Sequence, residues 1–465
     1  MPELPEVQTV LNTLEGMIKD DEIIDIEILY PNIIVGNIEE FKKHLIGQHF
    51  RKFVRRGKYL LFQMDDCFLV SHLRMEGKYF YKVEGEEFNK HSHIIFHLSD
   101  DHQLEYNDVR KFGRMEVLGL DTDFSHFKNL GVEPFDEGLD LDYVKNYLHD
   151  ENRPIKEILL DQSFVAGIGN IYADEIIFNT LIHPLTKGKY LDEKTILKLI
   201  DNIKIILSEA IKMGGTTIRS YTSSLGVTGR FQLQLSVHQK EGKPCPICGT
   251  TIKKIKVGGR GTYYCPNCQK LTRRIGITGS IGSGKSLALK HLKDLGYKTF
   301  NADEEVSRLY EMGNKGYLLL KEIHPELFDG DNLNKLRMSE LLFNDESFKK
   351  EIENLIHPLV LDAYLTMSIN EDIVFCEIPL MYEAGFDKYF DEILVISTKE
   401  KELYRRLKER SYSKEEIIKR LNNQMDIKLK IAKADRHINN DKTIAELYDK
   451  IDMWVEEVYA RKELL

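Results

Sequence analysis

The sequence lacks the features that mark membrane and secreted proteins. No apolar run approaches the roughly 20 residues that a membrane-spanning helix needs, and the start MPELPEVQTV has neither the basic nor the apolar stretch of a signal peptide. Four of the six cysteines are grouped late in the first part of the chain, so a disulfide framework is not expected. These absences predict a protein of the cytoplasm that has no membrane partner.

Internal repeats and low-complexity tracts are also missing, and the stretch QKLTRRIGITG near the middle of the chain is too short and regular to be a flexible linker. The composition, 42% hydrophobic and 30% charged, is that of ordinary folded domains. Because 465 residues exceed what one hydrophobic core usually organises, we expect two to four domains.

The formal net charge of −10 is unevenly distributed. Residues 211–274 carry 12 Lys and Arg against one acid, and residues 41–60 carry seven basic residues and no acid. Local basic surfaces of this kind favour a polyanion such as nucleic acid as a partner of the first part, although solvated basic faces would leave the same pattern.

The periodicity of apolar residues changes along the chain. Segments such as FRKFVRRGKYLLFQM and HIIFHLSD alternate with period two, which predicts an antiparallel β domain. The pattern turns helical near Pro134, becomes rich in Cys, Gly and Pro at residue 241, and restarts at Ile275 with strands that alternate with charged helices in α/β style. The predicted domains are therefore residues 1–133, 134–240, 241–270 and 275–465.

A metal site is predicted by the string CPIC, sixteen further residues, and then CPNC. Two Cys-x-x-Cys pairs at this spacing are typical of a zinc ribbon, and four thiolates fill the tetrahedral coordination of zinc, so the ion should be structural. The predicted zinc ligands are Cys245, Cys248, Cys265 and Cys268. The intervening KKIKVGGRGTYY has the basic and aromatic residues that suit a hairpin in contact with DNA.

A phosphate-binding loop is predicted where G-x-x-x-x-G-K-S follows the short strand RRIGIT and precedes the helix LALKHLKDLG. Backbone amides of such a loop cradle phosphates, Lys285 would reach the β and γ oxygens of ATP, and Ser286 would be a ligand of Mg²⁺. The predicted ATP-binding residues are Gly279, Ser280, Ile281, Gly282, Ser283, Gly284, Lys285 and Ser286. The loop by itself does not identify the acceptor of a phosphoryl group.

The first part of the chain resembles the formamidopyrimidine-DNA glycosylase family. The resemblance covers residues 1–270 and is carried by MPELPEV, RRGKYLLF, HLRMEG, YNDVRKFGR, IKEILLDQSFVAGIGNIYADEI, GGTTIRSY and GRGTYYCPNCQ; Gln8 and Ser92 are small departures. It implies an N-terminal antiparallel β-sandwich with flanking helices, a helix-two-turns-helix domain and a zinc ribbon. It also implies excision of oxidised purines, 8-oxoguanine and formamidopyrimidines, from double-stranded DNA.

Proline after the initiator methionine suits such chemistry. An α-amine with a generic pKa of roughly 8 supplies more neutral nucleophile than a lysine at roughly 10.4, and a secondary amine can hold a sugar as a cationic Schiff base. The resemblance implies that Pro2 is the nucleophile, Glu3 transfers protons, Lys58 contacts phosphate and assists β-elimination, and Arg260 assists δ-elimination.

The resemblance also implies how DNA is held. An enzyme that extrudes a base must fill the vacated stack, and Met75, Arg110 and Phe112 are the residues implied to do so. Contacts to the DNA backbone are implied for His91, Arg153, Lys156 and Asn170. The segment GGTTIRSY is expected to close over the everted base.

The second part of the chain resembles dephospho-CoA kinase. The resemblance covers residues 275–465 and is carried by FNADEEVSRLY, IENLIHPLV, EIPLMYEAGFDKYFDEILVIS, LYRRLKERSYSKEE and KADRHINND. It implies an α/β fold with a parallel sheet and transfer of phosphate from ATP with Mg²⁺ to the ribose 3′-hydroxyl of dephospho-CoA, the last step of CoA synthesis. It makes Asp303 the residue that acts on that hydroxyl, with Arg406 and Arg410 as lid arginines. The departures Asn301, Ser280 and Ser411 bear on turnover more than on fold.

Three functional hypotheses remain open from the sequence. The first is a monomeric bifunctional enzyme with DNA, ATP and dephospho-CoA as partners. The second is a glycosylase whose P-loop half is a degenerate regulatory module. The third, a P-loop that powers DNA remodelling, is disfavoured by the net charge of −7 in residues 275–465.

Overall fold

The computed structural model describes residues 1–122, 127, 129–216 and 229–462. The chain forms two compact units, one of Met1–Gly188 with Lys194–Gln269 and one of Lys189–Glu193 with Lys270–Leu465. The second unit thus extends beyond the predicted range 275–465 by a separate five-residue segment. Among the described residues, no helix combines the length and the apolar character that crossing a bilayer requires.

The first unit begins with a β-sandwich, as the period-two segments predict. Two four-stranded antiparallel sheets, ordered β1-β6-β7-β5 and β2-β3-β4-β8, enclose one core that includes Leu14, Phe62, Phe96 and Tyr106. The elements of this part are α1 Leu4–Ile18, β1 Ile23–Ile28, α2 Ile38–Leu45, β2 Lys52–Arg56, β3 Tyr59–Gln63, β4 Cys67–His72, β5 Lys78–Val83, β6 Ser92–Leu98, β7 His102–Asn107 and β8 Arg114–Gly119.

Helices and a short hairpin complete the first unit. The helices are α3 Leu141–Leu148, α4 Ile155–Leu160, α5 Asn170–Thr180 and α6 Glu193–Lys212, and the hairpin strands are β9 Lys253–Val257 and β10 Arg260–Tyr264. The hairpin turns at Gly258 and Gly259, whose φ angles of 53° and 77° lie in the left-handed region that a tight hairpin turn requires. The turns between α4 and α5 confirm the helix-two-turns-helix prediction.

The second unit is built on a five-stranded parallel sheet of order β12-β15-β11-β16-β17, which confirms the predicted α/β class. Strands β15 and β16 are buried throughout, as expected where helices cover both faces. Its elements are β11 Arg273–Gly279, α7 Lys285–Asp294, β12 Lys298–Asn301, α8 Ala302–Leu309, α9 Lys315–Ile323, β13 Phe328–Asp329, β14 Asn332–Leu333, α10 Lys335–Asn344, α11 Glu346–Ser368, β15 Ile373–Glu377, β16 Glu392–Ser397, α12 Glu400–Glu409, α13 Lys414–Asn422, α14 Ile427–Lys433, β17 Arg436–Asn439 and α15 Ile444–Lys462.

The segment Lys189–Glu193 takes part in the core of the second unit. The buried guanidinium of Arg274 lies over the Tyr190 ring, 4.2 Å from its centroid, and the Tyr190 hydroxyl donates to Asp391 at 3.2 Å. A cation over an aromatic face compensates in part for burying the charge. A five-residue segment from a distant part of the sequence therefore helps to stabilise a buried arginine at the start of β11.

Candidate active sites

The carboxylate of Glu3 is held at the start of helix α5. Its two oxygens accept the amide N–H groups of Ile171 at 3.0 Å and Tyr172 at 3.3 Å, which have no acceptor within the helix itself. The approach requires glycine at position 169, because a Cβ there would lie 2.1 Å from the Glu3 carboxyl carbon. The N-terminal segment that carries Pro2, which is itself buried, is thereby fixed against the helix-two-turns-helix.

A second acid, Glu6, lies next to Glu3 and was not assigned a role from the sequence. It accepts the Tyr172 hydroxyl at 2.6 Å, the Thr216 amide at 2.7 Å and the amide of Glu3 at 2.9 Å. Burial, with the nearby charge of Glu3, raises the pKa of Glu6 above its ordinary value. The segment GGTTIRSY is thus anchored at Thr216, while its residues from Thr217 onward lie outside the described part of the chain.

Lys58 is brought to the same place by the turn between β2 and β3. Its ammonium is buried and donates to the carbonyl of Ile168 at 2.9 Å. Burial lowers the pKa of Lys58, the charge of Arg260 lowers it further, and Glu3 and Glu6 oppose the shift. Since Arg260 of the hairpin and Glu3 both influence the pKa of Lys58, these residues lie near one another. The four predicted catalytic residues of this unit, Pro2, Glu3, Lys58 and Arg260, are therefore in one neighbourhood.

A buried network that sequence reasoning missed orients the start of α5. Asp174 accepts the Lys156 ammonium and the His238 ring nitrogen, each at 2.7 Å, and Lys156 also donates to the carbonyl of Asn170 at 2.9 Å. The amide group of Asn170 donates to Gly261 of the hairpin at 3.0 Å. Nothing in the local sequence indicates these partners, because they lie far apart along the chain.

The position of Lys156 does not fit the predicted contact with a DNA backbone. Its side chain has no exposed surface, its ammonium is paired with Asp174, and burial lowers its pKa. A charge enclosed in this way orients its protein neighbours and is not available to a ligand. Asn170 is half-buried at the other end of the same network, and its side-chain oxygen is a buried atom with no hydrogen-bond partner among the described residues.

The loop that carries Arg110 and Phe112 is held by Asp108. This buried carboxylate accepts the amides of Arg110 at 3.0 Å, Phe112 at 2.8 Å and Gly113 at 2.8 Å. The Arg110 guanidinium lies over the Phe112 ring at 4.8 Å from its centroid, and the ring is 48% exposed. A cation and an aromatic ring are thus presented together at the surface.

The other predicted DNA-contacting residues differ in accessibility. Met75 and His91 are half-buried at the sandwich end of this unit. Arg153 forms ion pairs with Glu151 at 2.7 Å and Asp161 at 2.8 Å, which raise the pKa of its guanidinium. Any contact of Arg153 with a phosphate would have to compete with these two carboxylates.

The predicted metal site is assembled as expected. The four sulfur atoms of Cys245, Cys248, Cys265 and Cys268 all lie within 4.8 Å of one another, with Sγ separations of 3.8 Å and 3.5 Å for two of the pairs. A tetrahedron of sulfur atoms about 2.3 Å from a zinc ion has edges of about 3.8 Å. The donor set and its geometry therefore fit a structural zinc ion.

In the second unit a cavity of about 820 Å³ lies at the carboxyl ends of the strands, where open parallel sheets bind ligands. The P-loop forms one wall, and Lys285 donates to the carbonyl of Ser280 at 3.0 Å. Burial lowers the pKa of Lys285 to about 8, although Glu377 opposes the shift. Asp303 lines the same cavity, where desolvation raises its pKa and Lys285 counteracts the rise.

Glu377, which ends β15, was not singled out from the sequence. It is buried, it lines the cavity, and its carboxylate accepts the Ser286 hydroxyl at 2.9 Å. Burial raises the pKa of Glu377, while Ser286 and Lys285 lower it. The apolar strand VFC that precedes Glu377 could have drawn attention to this carboxylate. That it lies beside the hydroxyl of Ser286 depends on the order of the strands in the sheet.

Of the predicted lid arginines, Arg410 lines the cavity. Arg406 instead donates to Glu402 at 2.8 Å and to the carbonyl of Asn440 at 3.0 Å. Arg420, on α13, also lines the cavity and was not predicted. The cations that line the cavity outside the P-loop therefore include Arg410 and Arg420.

Family models match the chain in four consecutive stretches. The model of the formamidopyrimidine-DNA glycosylase N-terminal domain matches residues 1–115, that of its H2TH domain residues 130–222, and that of the zinc finger found in FPG and IleRS residues 242–271. The model of dephospho-CoA kinase matches residues 273–446.

Individual relatives match the first of these parts. Formamidopyrimidine-DNA glycosylases of Oceanobacillus iheyensis and Bacillus subtilis are 47% and 48% identical over 273 residues, which is 58% of this chain and 98% and 99% of theirs. A structure of the Lactococcus lactis enzyme in complex with DNA that contains an abasic site is 44% identical, with a TM-score of 0.56 over 58% of this chain and 100% of its own.

Replacing Cys265 with serine should remove the metal from residues 241–270. A module of this size gains most of its folding free energy from the ion, so we expect the purified variant to lose bound zinc and its hairpin to become susceptible to proteolysis. Zinc content by atomic emission and limited proteolysis measure the two effects.

The matched control for this substitution is Cys67→Ser, which alters a buried thiol outside the cluster and should leave the zinc content unchanged. The second unit should bind ATP equally well in both variants. Retention of stoichiometric zinc by Cys265→Ser would contradict the assignment of this thiolate as a ligand.

Proposed function

Because the chain belongs to the formamidopyrimidine-DNA glycosylase family over its first part and continues into a dephospho-CoA kinase domain, we propose that it carries out two reactions at separate sites. The first is excision of oxidised purines, 8-oxoguanine and formamidopyrimidines, from double-stranded DNA, followed by cleavage at the resulting abasic site. The second is phosphorylation of the ribose 3′-hydroxyl of dephospho-CoA by ATP.

The observation that carries the glycosylase proposal is the convergence of Glu3, Lys58 and Arg260 on the N-terminal segment. After removal of Met1, the secondary amine of Pro2 attacks C1′ of the damaged nucleoside. The bond from C1′ to the base breaks, and the base leaves with a proton that Glu3 can deliver. Opening of the sugar ring then leaves a cationic Schiff base, since a secondary amine has no further proton to lose.

The groups around this centre suit the elimination steps that follow. Lys58 is desolvated, so more of it is neutral near pH 7 than of an exposed lysine, and it can bind phosphate or accept a proton. Arg260 is exposed at the hairpin and is placed to act on the second phosphate elimination. Zinc, when bound by its four thiolates, stabilises the hairpin that carries Arg260, and it takes no part in bond cleavage.

DNA is proposed to be held as in the Lactococcus lactis complex, in which the related enzyme binds DNA with an abasic site. Phe112 and Arg110 are presented together by Asp108, and with Met75 they would fill the stack that the extruded base leaves. His91, Asn170 and Arg153 would contact the backbone, the last after releasing its carboxylates. Lys156 would act through Asn170 and not by direct contact.

The observation that carries the kinase proposal is a cavity whose lining includes both Asp303 and the P-loop residues. Asp303 would orient and deprotonate the 3′-hydroxyl, while Lys285, Arg410 and Arg420 stabilise the charge that develops on the transferred phosphoryl group. The remainder of the lining is largely apolar, with Val306, Phe343, Val360 and Phe386 among its members. An acceptor that combines a nucleotide with an apolar arm fits these two kinds of wall.

Magnesium fits the oxygen donors beside the P-loop. The Ser286 hydroxyl and the Glu377 carboxylate are hard ligands of the type that Mg²⁺ prefers. When bound with ATP, the ion would neutralise charge on the β and γ phosphates. The four reduced thiolates of the zinc module suit the cytoplasm, and we propose that the chain acts there as a monomer.

The competing hypothesis is a degenerate nucleotide-binding module in place of a kinase. The retention of Lys285, Ser286, Glu377 and Asp303 around one cavity supports an active enzyme, since a module that only binds nucleotide has no need of Asp303. A purified chain that binds ATP and fails to phosphorylate dephospho-CoA would favour the module.

Replacing Pro2 with glycine should weaken covalent trapping on damaged DNA. Borohydride reduces the Schiff base to a stable link, so the parent chain should cross-link to a duplex that contains 8-oxoguanine. The primary amine of Pro2→Gly is expected to form that link at a much lower rate, measured by gel shift of labelled DNA over time.

Pro325→Gly serves as the proline control, because Pro325 starts a short 3-10 turn of the second unit and is no part of the glycosylase site. It should trap DNA like the parent. Equal trapping by Pro2→Gly would argue against the proline ring, and undiminished trapping by a chain that keeps Met1 would exclude the N-terminus as nucleophile.

Lys285→Ala should abolish phosphoryl transfer and leave base excision unchanged. Loss of a preorganised cation at the β and γ phosphates typically raises the barrier by about 3 to 4 kcal/mol, which corresponds to roughly a hundredfold or more in kcat. Coupled assay of ADP release with dephospho-CoA measures the loss. Lys293→Ala, on the same helix and outside the cavity lining, should keep parental activity; transfer by Lys285→Ala at the parental rate would refute this role.

The affinity for ATP should fall as the pH rises through about 8. Below its pKa of about 8 in the ligand-free chain Lys285 is charged and attracts phosphate; above it the amine is neutral and the attraction is lost. Dissociation constants measured by calorimetry from pH 7 to 9 should increase several-fold. Lys285→Arg keeps its charge throughout this range and should show a flatter profile. A pH-independent affinity in the parent would contradict the prediction.

A further inference from the structure

Asn301 ends β12 immediately before α8, and it is one of the departures from the dephospho-CoA kinase pattern. Its side-chain oxygen accepts the amide N–H groups of Asp303 at 3.0 Å and Glu304 at 3.2 Å. Asn301 is therefore the N-cap of α8, and it sets the direction in which that helix, with Asp303 in its first turn, leaves the sheet.

The other end of the same amide group faces the P-loop side of the site. Its nitrogen donates to Oε2 of Glu377 at 3.3 Å, and Oε1 of Glu377 accepts the Ser286 hydroxyl at 2.9 Å. Asn301 and Glu377 are register partners at the carboxyl ends of the neighbouring parallel strands β12 and β15. One unbroken series of hydrogen bonds thus runs from Ser286 through Glu377 and Asn301 to the amide of Asp303.

We propose that Asn301 is a positioning residue for phosphoryl transfer, which fixes Glu377 on the P-loop side and Asp303 on the acceptor side relative to each other. The inference rests on the proposed kinase function. The side-chain amide of Asn301 suits this position because it both accepts backbone N–H groups of α8 and donates to Glu377. Hydroxyl and carboxylate side chains can cap the helix, but neither offers both contacts in this geometry.

The charges around Glu377 explain why a neutral donor is favoured there. Glu377 lies within the electrostatic influence of two other carboxylates, Asp303 and Glu304, and of the cation Lys285. Lys285 in turn lies near Lys430 and Arg410. An aspartate at position 301 would add a third negative charge near Glu377, whereas asparagine donates a hydrogen bond to it and adds no charge.

Substitutions at this position separate the two contacts. Asn301→Ser keeps the cap, but the shorter side chain cannot reach Glu377; Asn301→Asp keeps the cap and replaces the donor with a negative charge. In the full chain, kcat for phosphorylation of dephospho-CoA should fall about tenfold in both, on the scale seen when a group that orients an active-site ligand is lost, while both KM values change little.

Asn334 provides a matched control. It caps α10 through the amide of Arg337 at 3.0 Å, it donates to Asp329 at 2.9 Å, and it does not line the cavity. Asn334→Ser and Asn334→Asp should retain the parental kcat and KM values, and thermal unfolding should be similar for equivalent substitutions at the two positions. This comparison distinguishes positioning from a general effect of removing a cap.

The outcomes separate the inference from the function on which it rests. A parent chain that does not phosphorylate dephospho-CoA would overturn both. An active parent, with Asn301→Ser and Asn301→Asp variants that keep its kcat, would overturn the inference alone. A drop in kcat at position 301 that is matched at position 334 would show a structural role and would also overturn it.

Discussion

Amide N–H groups at the start of a helix have no acceptor within that helix, and both candidate sites are built on such groups. The first turn of α5 binds the carboxylate of Glu3, and the P-loop leads into the first turn of α7. The first turn of α8 is capped by Asn301. Each arrangement satisfies a requirement of the helix and, in doing so, fixes a functional group at a defined place.

The same contacts place charges where water is largely excluded, and this changes their chemistry. Burial raises the pKa of Glu6 and Glu377 and lowers that of Lys58 and Lys285. In each case groups of opposite charge or hydrogen-bond donors oppose the effect of burial. Stability and reactivity therefore depend on one set of interactions in each site.

Supporting residues determine how accurately the reactive groups are placed. Asp108 holds three amides of the loop that presents Phe112, and Asp174 links Lys156 and His238 around the start of α5. Both acids are buried, and their partners are protein groups. Such residues explain how an exposed aromatic ring and the start of α5 can keep a defined geometry.

Features whose residues lie close together in the sequence could be predicted from the sequence alone. They are the zinc ligands, the P-loop, and the change from period-two to helical and then α/β patterns. They are local, so spacing and periodicity suffice to identify them. The tertiary structure alone decided the contacts of Glu3 with Ile171 and of Glu377 with Ser286 and Asn301, because sheet order and helix packing join residues far apart in the chain. It also decided that Lys156 is enclosed and that Arg420 instead of Arg406 faces the cavity, since the direction of a charged side chain on a helix depends on what packs against that helix.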